Sequence, residues 1–284
     1  MPHERPPIND PQDSCTADTR AMPPKDPSPT LLEELIEQHD ERLGDNDRAF
    51  LRRVFSRDLD VYRQRLEAIG FVGLDRVLDA GCGFGQWTLA LAHLNNHVSS
   101  IDVRNSRIAV LNDILGNLGI NNVTAHAGRL EQLPYADAGF DSVFCYMALF
   151  YTGWLAALDE LTRVLKHGGR LYVTANGIGW YLHLWCNRPN AAPDYEPREV
   201  VARTFADTVA YERSRRPPTT QIIIEPQVLI EALEERGFTI LDRADEGTIR
   251  AASGAPAPQP FFSGSYFGQV GCYEILAAKA APRR

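Results

Sequence analysis

The feature that most constrains this chain is a glycine-rich stretch, VLDAGCGFG, at residues 77–85. Its apolar start predicts a short buried strand, and its alternating glycines lead into a helical pattern. Glycine is needed where the backbone takes a positive φ angle or where a ligand approaches the backbone closely. The turn between a strand and a helix is also where open α/β sheets bind nucleotides. The stretch therefore predicts a nucleotide-type site at the carboxyl end of a strand.

The spacing of the glycines distinguishes two kinds of nucleotide site. The dinucleotide fingerprint G-x-G-x-x-G would need its third glycine at position 86, where this chain has Gln86. Gly81, Gly83 and Gly85 follow the shorter spacing G-x-G-x-G, with Asp79 just before them. This departure argues against an NAD-dependent oxidoreductase.

From residue 76 onwards, strand patterns alternate with helix patterns, which is typical of a parallel sheet with helices on both faces. We predict strands at 76–80, 98–101, 122–126, 140–146, 170–175, from 238 and at 270–278. We predict helices at 86–94, 106–118, 155–165 and 225–237. The fold class is therefore α/β with a seven-stranded sheet.

Three segments lie outside this alternation. Residues 1–29 contain many prolines and little apolar material, which predicts a disordered tail. Residues 30–74 predict N-terminal helices, one that starts at Leu31 after a capping-box pattern and a longer one at 47–69. Residues 177–224 exceed an ordinary connection and hold the aromatic run WYLHLW and a further helix near 197–212. We predict that this insert is a substrate cap over the strand ends.

Residues 75–175 resemble the class I S-adenosylmethionine (SAM)-dependent methyltransferases of the broad type 11/25 kind. The glycine stretch falls on their motif I, and Asp102 falls at the end of their second strand. The segment RVLKHGGRL at 163–171 is similar to the RVLKPGG-L segment of the family, with His167 where proline is usual. The resemblance implies one domain over 30–284 with a Rossmann-like seven-stranded sheet, mostly parallel and with the last strand antiparallel.

The resemblance also implies a site for SAM and for its product, S-adenosylhomocysteine (SAH). Asp102 would accept hydrogen bonds from the two ribose hydroxyls. The other implied cofactor-binding positions are Asp79, Gly81, Gly83, Gly85, Gln86, Trp87, Val103, Arg129, Leu130 and Cys145. Two readings stay open at the start of the helix. Gln86 could reach the cofactor carboxylate there, or it could simply start the helix with Trp87 in the core.

The acceptor side is less well determined by the sequence. Methyl transfer from a sulfonium needs alignment, and it needs a general base only where the acceptor must lose a proton. His183 is the predicted base because histidine titrates close to neutral pH, with Tyr146 as the fallback and Tyr181 as a further polar group. The alternative is that His183 only packs among the tryptophans of the cap. The aromatic residues of the cap predict a small-molecule acceptor of aromatic or apolar character.

Composition narrows the classes of partner. The net charge is −8, and no strong cluster of lysine and arginine is present, which disfavours a nucleic-acid partner. A small anionic substrate held by one or two arginines is still compatible with this charge. Five scattered cysteines without a C-x-x-C pair suit a reducing compartment. No apolar run approaches a membrane span, so we expect a cytoplasmic protein.

We expect no metal site, because His93 and His97 have helical spacing but no evident third ligand. The favoured function is a SAM-dependent methyltransferase for a small molecule in secondary-metabolite, sugar or lipid and quinone metabolism. The alternatives are a methyltransferase that acts on RNA or protein and a catalytically silent SAM-binding module. The acceptor atom (O, N or C) and the oligomeric state stay open.

Overall fold

The apolar runs pair into one sheet in the computed structural model, which describes residues 27–192, 195–255 and 257–281. The strands are β1 (Arg76–Ala80), β2 (His97–Asp102), β3 (Val123–Ala127), β4 (Phe140–Cys145), β5 (Leu165–Asn176), β6 (Phe238–Asp245), β7 (Ser265–Tyr266), β8 (Gln269–Val270) and β9 (Cys272–Lys279). The strand order in the sheet is β3-β2-β1-β4-β5-β9-β6, and β7 and β8 form a separate ribbon. Strand β9 is antiparallel to both of its neighbours, so the predicted sheet is confirmed.

Helices surround this sheet. They are α1 (Pro29–Gln38), α2 (Asp45–Phe55), α3 (Leu59–Ala68), α4 (Gln86–Leu94), α5 (Asn105–Leu118), α6 (Trp154–Val164), α7 (Ile178–Asn187), α8 (Pro197–Ser214) and α9 (Pro226–Glu235). Successive residues of a strand face opposite sides of a sheet. Val77 accordingly joins an apolar cluster with α3, α4 and α5, and Leu78 joins one with α6 and α9. Both faces of the sheet are therefore buried.

The N-terminal helices differ from the predicted ones at their ends. The first helix is capped by Ser28, whose hydroxyl accepts a hydrogen bond from the Leu31 N–H at 3.1 Å, and not by Thr30. The long helix predicted at 47–69 is two helices, because Asp58 accepts the Asp60 N–H at 2.8 Å and caps α3. Most of the predicted tail, residues 1–26, lies outside the described residues.

Strand β5 begins earlier than predicted. Residues 165–169, which we expected to end the preceding helix, extend the strand, and Leu165 lies opposite Phe140. Gly169 suits this position because a Cβ there would stand 2.8 Å from the Asp141 carbonyl oxygen. The insert after β5 forms α7 and α8, and α7 also contacts β7 and β8. Of the helices in the described part of the chain, none is both long and apolar enough to cross a membrane.

Candidate functional site

The loop between β1 and α4 takes left-handed backbone conformations at its three glycines. The φ angles of Gly81, Gly83 and Gly85 are 83°, 59° and 90°. A Cβ at Gly85 would stand 2.2 Å from Leu111 Cδ1, and one at Gly81 would stand 2.2 Å from Ala148 Cβ. Gly81 and Gly85 therefore require glycine both for conformation and for space, and Gly83 requires it for conformation. We call this segment, residues 81–85, the glycine loop.

Asp102 ends β2 beside the glycine loop and is 7% exposed. Its Oδ2 accepts the Gly83 N–H at 3.1 Å, and its Oδ1 accepts the Arg104 N–H at 2.9 Å. A carboxylate offers about four acceptor positions, so about two are left for hydroxyl groups. The next residue, Val103, is 62% exposed and presents an apolar surface beside that carboxylate. This arrangement suits a ribose followed by a flat base.

Asp79 lies beneath the loop. Its Oδ2 accepts the Thr88 hydroxyl at 2.6 Å, and that hydroxyl lies 3.0 Å from Ser100 Oγ. Burial raises the pKa of Asp79 to about 7, against the opposing effect of the Thr88 hydrogen bond, and the charge of Asp102 raises it further. Asp79 is thus a buried carboxyl that is sensitive to positive charge placed near the loop.

The first turn of α4 contains Gln86 and Trp87, for which the sequence left two alternatives. The Gln86 amide oxygen Oε1 is buried and has no hydrogen-bond partner among the described residues. An unpaired buried acceptor is unfavourable, and an ammonium group would satisfy it better than a carboxylate. Trp87 is a core residue, because its ring packs against Tyr62 at 4.8 Å and Phe144 at 4.9 Å. Its contact with the cofactor stays a prediction.

The remaining predicted cofactor positions contribute little through their side chains. Leu130 and Cys145 are buried in the core, and burial raises the pKa of the Cys145 thiol to about 12. Only the backbone at these two positions is available to a ligand. Arg129 is exposed and donates a hydrogen bond to Glu131 at 3.0 Å.

The three predicted catalytic side chains have different hydrogen-bond partners. The Tyr146 hydroxyl donates to Glu246 Oε1 at 2.6 Å. Burial raises the pKa of Tyr146 well above its ordinary value, so the phenol keeps its proton. Tyr181 is fully buried beside Leu184, and its hydroxyl donates to Gln221 Oε1 at 3.1 Å. Neither phenol is therefore arranged as a base.

His183 lies on α7 and stacks on Tyr266 with ring centroids 4.3 Å apart. Its Nδ1 is 2.8 Å from Asn187 Nδ2, an amide nitrogen that can only donate. The neutral ring therefore carries its proton on Nε2, and its lone pair is already used. Trp180 also packs in this cluster, which matches the packing alternative for His183.

Helix α2 covers the glycine loop, a feature that the sequence left open. Phe50 lies over Gly83, because a Cβ there would stand 3.4 Å from Phe50 Cε1, and its ring contacts Phe84 at 5.6 Å. Helix α3, in contrast, packs along α4. Helices α2 and α3 thus differ, because α2 contacts the loop and α3 packs in the core.

A buried ionic network lies beside Tyr146, and no pattern in the sequence predicts it. Arg65 is fully buried, and its Nη2 contacts Glu246 and, at 3.3 Å, Glu274. Tyr172 donates to Glu274 at 2.5 Å. Glu274 stands 209 residues after Arg65, so no local pattern connects them. A single arginine on the apolar face of α3 was the only available signal.

Comparison with known proteins agrees with this geometry. Residues 77–169 match the family model described as "Methyltransferase domain". The similarity is to a methyltransferase domain and covers this segment of the chain. The match begins in β1 and ends in β5, so it includes the glycine loop and Asp102.

Curated relatives named as methyltransferases match a third or more of this chain. An uncharacterized methyltransferase of Bacillus subtilis (strain 168), YcgJ, is 33% identical over 96 residues, which are 34% of this chain and 38% of that protein. The O-methyltransferase rstn1 of Aspergillus nomiae is 27% identical over 194 residues, which are 67% of this chain and 75% of that protein. The alignments span 38–42% of the length of the relatives that match most strongly.

Among solved structures, a geranyl diphosphate methyltransferase in complex with SAM is similar in fold. The TM-score is 0.56 at 16% sequence identity, and the match covers 89% of this chain and 92% of that one. At this identity the similarity concerns the fold. It extends beyond the methyltransferase domain to most of the described elements.

Proposed function

We propose that the protein is a SAM-dependent methyltransferase that transfers the sulfonium methyl group to a small-molecule acceptor through an O, N or C atom. The observation that carries the proposal is Asp102, which keeps unused acceptor positions beside a glycine loop in which Gly81 and Gly85 have no room for a Cβ. This pairing occurs within a methyltransferase domain.

The residues of the site fit the cofactor. Asp102 would hold the ribose hydroxyls, Val103 would lie against the base, and the unpaired Gln86 oxygen would accept from the ammonium group. When bound, SAM supplies a methyl group on a positively charged sulfur. The protein would hold the acceptor in line with this methyl group and exclude water, and Phe50, which lies over Gly83, would contribute to that exclusion.

The small-molecule class of acceptor rests on two supports. The relatives described above include one named as an O-methyltransferase. The net charge of −8 disfavours a nucleic acid, because such binding draws on many cations.

Scattered cysteines suit a reducing compartment, so a cytoplasmic location belongs to the same proposal. Action on RNA or protein, or silent SAM binding, would be the alternative outcome.

Isothermal titration calorimetry tests the cofactor directly. We expect saturable binding of both SAM and SAH and no binding of NAD, because the G-x-G-x-G spacing and Asp102 favour the former. Binding of NAD without SAM or SAH would contradict the proposal. Detection of methylated product after incubation with a panel of acceptors would then separate an active enzyme from a silent binding module.

Substitution of Asp102 tests the ribose site. We expect Asp102→Ala to weaken SAM binding more than about tenfold, because a carboxylate that holds two hydroxyls contributes more than about 1.4 kcal/mol. Asp242→Ala, an exposed substitution on β6, is the control and should bind SAM like wild type. Thermal melting checks that the glycine loop stays folded. An unchanged SAM affinity in a folded Asp102→Ala protein would remove Asp102 from the site.

A further inference from the structure

The turn that follows β4 lies against the glycine loop, and the following inference rests on the proposed function of that loop. The side chain of Ala148 packs against Gly81, where a Cβ would stand 2.2 Å from Ala148 Cβ. A short helical turn, Leu149–Tyr151, follows directly, and the Tyr151 N–H donates to the Ala148 carbonyl oxygen at 3.1 Å. Tyr151 is therefore one helical turn away from a residue that touches the glycine loop.

Gln221 holds the hydroxyl group of Tyr151. Its Nε2 donates to the Tyr151 hydroxyl at 3.1 Å, and its Oε1 accepts the Tyr181 hydroxyl at 3.1 Å. We call these three side chains the relay. The Tyr151 end of the relay is 54% exposed, whereas the Tyr181 end is fully buried. The relay thus connects the core to the surface beside the glycine loop.

The buried end of the relay determines its direction. Asn176 Oδ1 accepts the Cys272 thiol at 3.1 Å, which leaves the amide nitrogen of Asn176 as its donor. Burial raises the pKa of Tyr181, and a hydrogen bond from the Asn176 side chain opposes the rise. Tyr181 therefore accepts from Asn176 and gives its own proton to Gln221. The Gln221 nitrogen then donates to Tyr151, whose proton is left over.

The backbone around Gln221 is held on both sides. Asp207 Oδ2 on α8 accepts the Thr220 N–H at 2.7 Å. The Ile222 N–H donates to the Phe150 carbonyl oxygen at 2.8 Å. Gln221 therefore orients Tyr151 from a backbone that is itself fixed, which is how a binding site positions its polar groups.

The unused group at the exposed end of the relay is one O–H donor. Within the part of the chain that the structure describes, the Tyr151 proton has no acceptor. The relay is uncharged, because it consists of two phenols and one amide. A neutral donor matches a neutral oxygen such as a carbonyl, since an anion that leaves water needs a cation as partner.

We propose that Tyr151 donates a hydrogen bond to a carbonyl oxygen of the small-molecule acceptor, and that Gln221 is the positioning residue for Tyr151. This bond fixes the orientation of the acceptor beside the glycine loop, and methyl transfer depends on such alignment. A molecule that lacks this oxygen forgoes the bond. Tyr151 thus contributes specificity for acceptors that carry a carbonyl group.

Acetophenone and α-methylstyrene are matched probes, because a methylene group replaces the carbonyl oxygen in the second molecule. Each is titrated by calorimetry into the wild-type protein, alone and with saturating SAH. We expect saturable binding of acetophenone, and its infrared carbonyl stretch should lie at lower frequency when bound than in hexane. No saturable acetophenone binding in either state, or a bound carbonyl frequency like that in hexane, would overturn the proposal.

Tyr151→Phe removes only the hydroxyl group. We expect it to weaken acetophenone binding about fivefold and to leave α-methylstyrene binding unchanged, because only acetophenone uses the hydrogen bond. Tyr211→Phe is the matched control, since the Tyr211 hydroxyl accepts the Leu155 N–H at 3.0 Å outside the relay. It should bind both probes like wild type. Unchanged acetophenone affinity in Tyr151→Phe, or equal losses for both probes, would contradict the role of Tyr151.

Gln221→Glu tests the positioning role. A carboxylate only accepts, so it would take the Tyr151 proton that the amide leaves free. We expect this variant to lose the carbonyl frequency shift although Tyr151 is still present. Gln227→Glu, an exposed substitution on α9, controls for the added charge.

A second variant covers the case in which Gln221→Glu does not fold. Tyr181→Phe frees the Gln221 oxygen, so the amide can turn and the frequency shift should decrease by a smaller amount. Thermal melting identifies the folded variants. A full frequency shift in folded Gln221→Glu, or in folded Tyr181→Phe where the first variant does not fold, would show that Tyr151 acts without Gln221.

SAH affinity separates this proposal from the proposed function. It should be unchanged in Tyr151→Phe, and a loss would assign Tyr151 to the cofactor and overturn the proposal. If SAH does not bind wild type, the proposed function is wrong, whereas acetophenone binding to the protein alone still tests the relay.

Discussion

Replacing Arg65 with methionine is expected to lower the free energy of unfolding by about 3–5 kcal/mol, because removal of one partner leaves buried charges uncompensated. Arg65, Glu246 and Glu274 are all buried, and Arg65 is the cation that contacts both carboxylates. Methionine retains most of the apolar volume, so the loss of charge dominates the effect. Urea unfolding followed by circular dichroism gives the measurement.

The two carboxylates explain why the effect should be large. Glu246 accepts the N–H groups of Phe261 and Phe262 at 2.7 and 3.1 Å. Glu274 accepts the N–H groups of residues 247–249 at 2.6–2.9 Å. Together they fasten the loop after β6 to the sheet, and Arg65 joins this loop to α3. Loss of the cation therefore loosens contacts between distant parts of the chain.

A matched control separates this network from ordinary surface pairing. Arg203→Met removes an exposed arginine on α8 that is paired with Glu199 at 3.2 Å. Exposed pairs contribute at most about 1 kcal/mol, so the control should unfold almost like wild type. Equal stabilities of Arg65→Met and Arg203→Met would show that the buried network contributes little. In a double-mutant cycle, Arg65→Met and Glu246→Gln should be non-additive, because the two side chains touch.

The sheet could be predicted from the sequence because its signals are local. Strand β1 and helix α4 have the predicted bounds, since an apolar run, a glycine loop and a helical period follow one another without interruption. The break between α2 and α3 was missed because the apolar period continues across it. Asp58 caps the start of α3. This capping signal is also local, but the continuous apolar period hides it.

The candidate site also has one part that local sequence signals predict and one part that they do not. The glycine loop and Asp102 belong to elements with short connections, so their neighbourhood followed from the pattern. The positions of Tyr146, Tyr181 and His183 depend on a long insert and on loops that return from the end of the chain. Contacts such as Tyr146 with Glu246, 100 residues later, have no local signature. Periodicity could therefore suggest the types of residue at the acceptor side but not their partners.

Asp79 illustrates how the fold changes the chemistry of a residue that the sequence had singled out. Burial raises its pKa from 3.8 to about 7. Between these two values the native protein binds more protons at this position than the unfolded chain does. Stability must then fall as the pH rises through that window. The full loss of unfolding free energy across this window corresponds to about 4 kcal/mol.

Asp79→Asn should remove this dependence, since the amide stays neutral and its oxygen can still accept the Thr88 hydroxyl. Between pH 5 and pH 8 we expect wild type to lose about 2–3 kcal/mol more unfolding free energy than the variant, as measured by urea unfolding. Asp159→Asn, an exposed substitution, should follow wild type. Parallel pH profiles for wild type and Asp79→Asn would mean that Asp79 is ionised throughout.

A cofactor ammonium near the loop would favour the ionised form of Asp79. SAM binding at pH 6.5 should therefore release protons in wild type and not in Asp79→Asn. Calorimetry in two buffers of different ionisation enthalpy can detect this release.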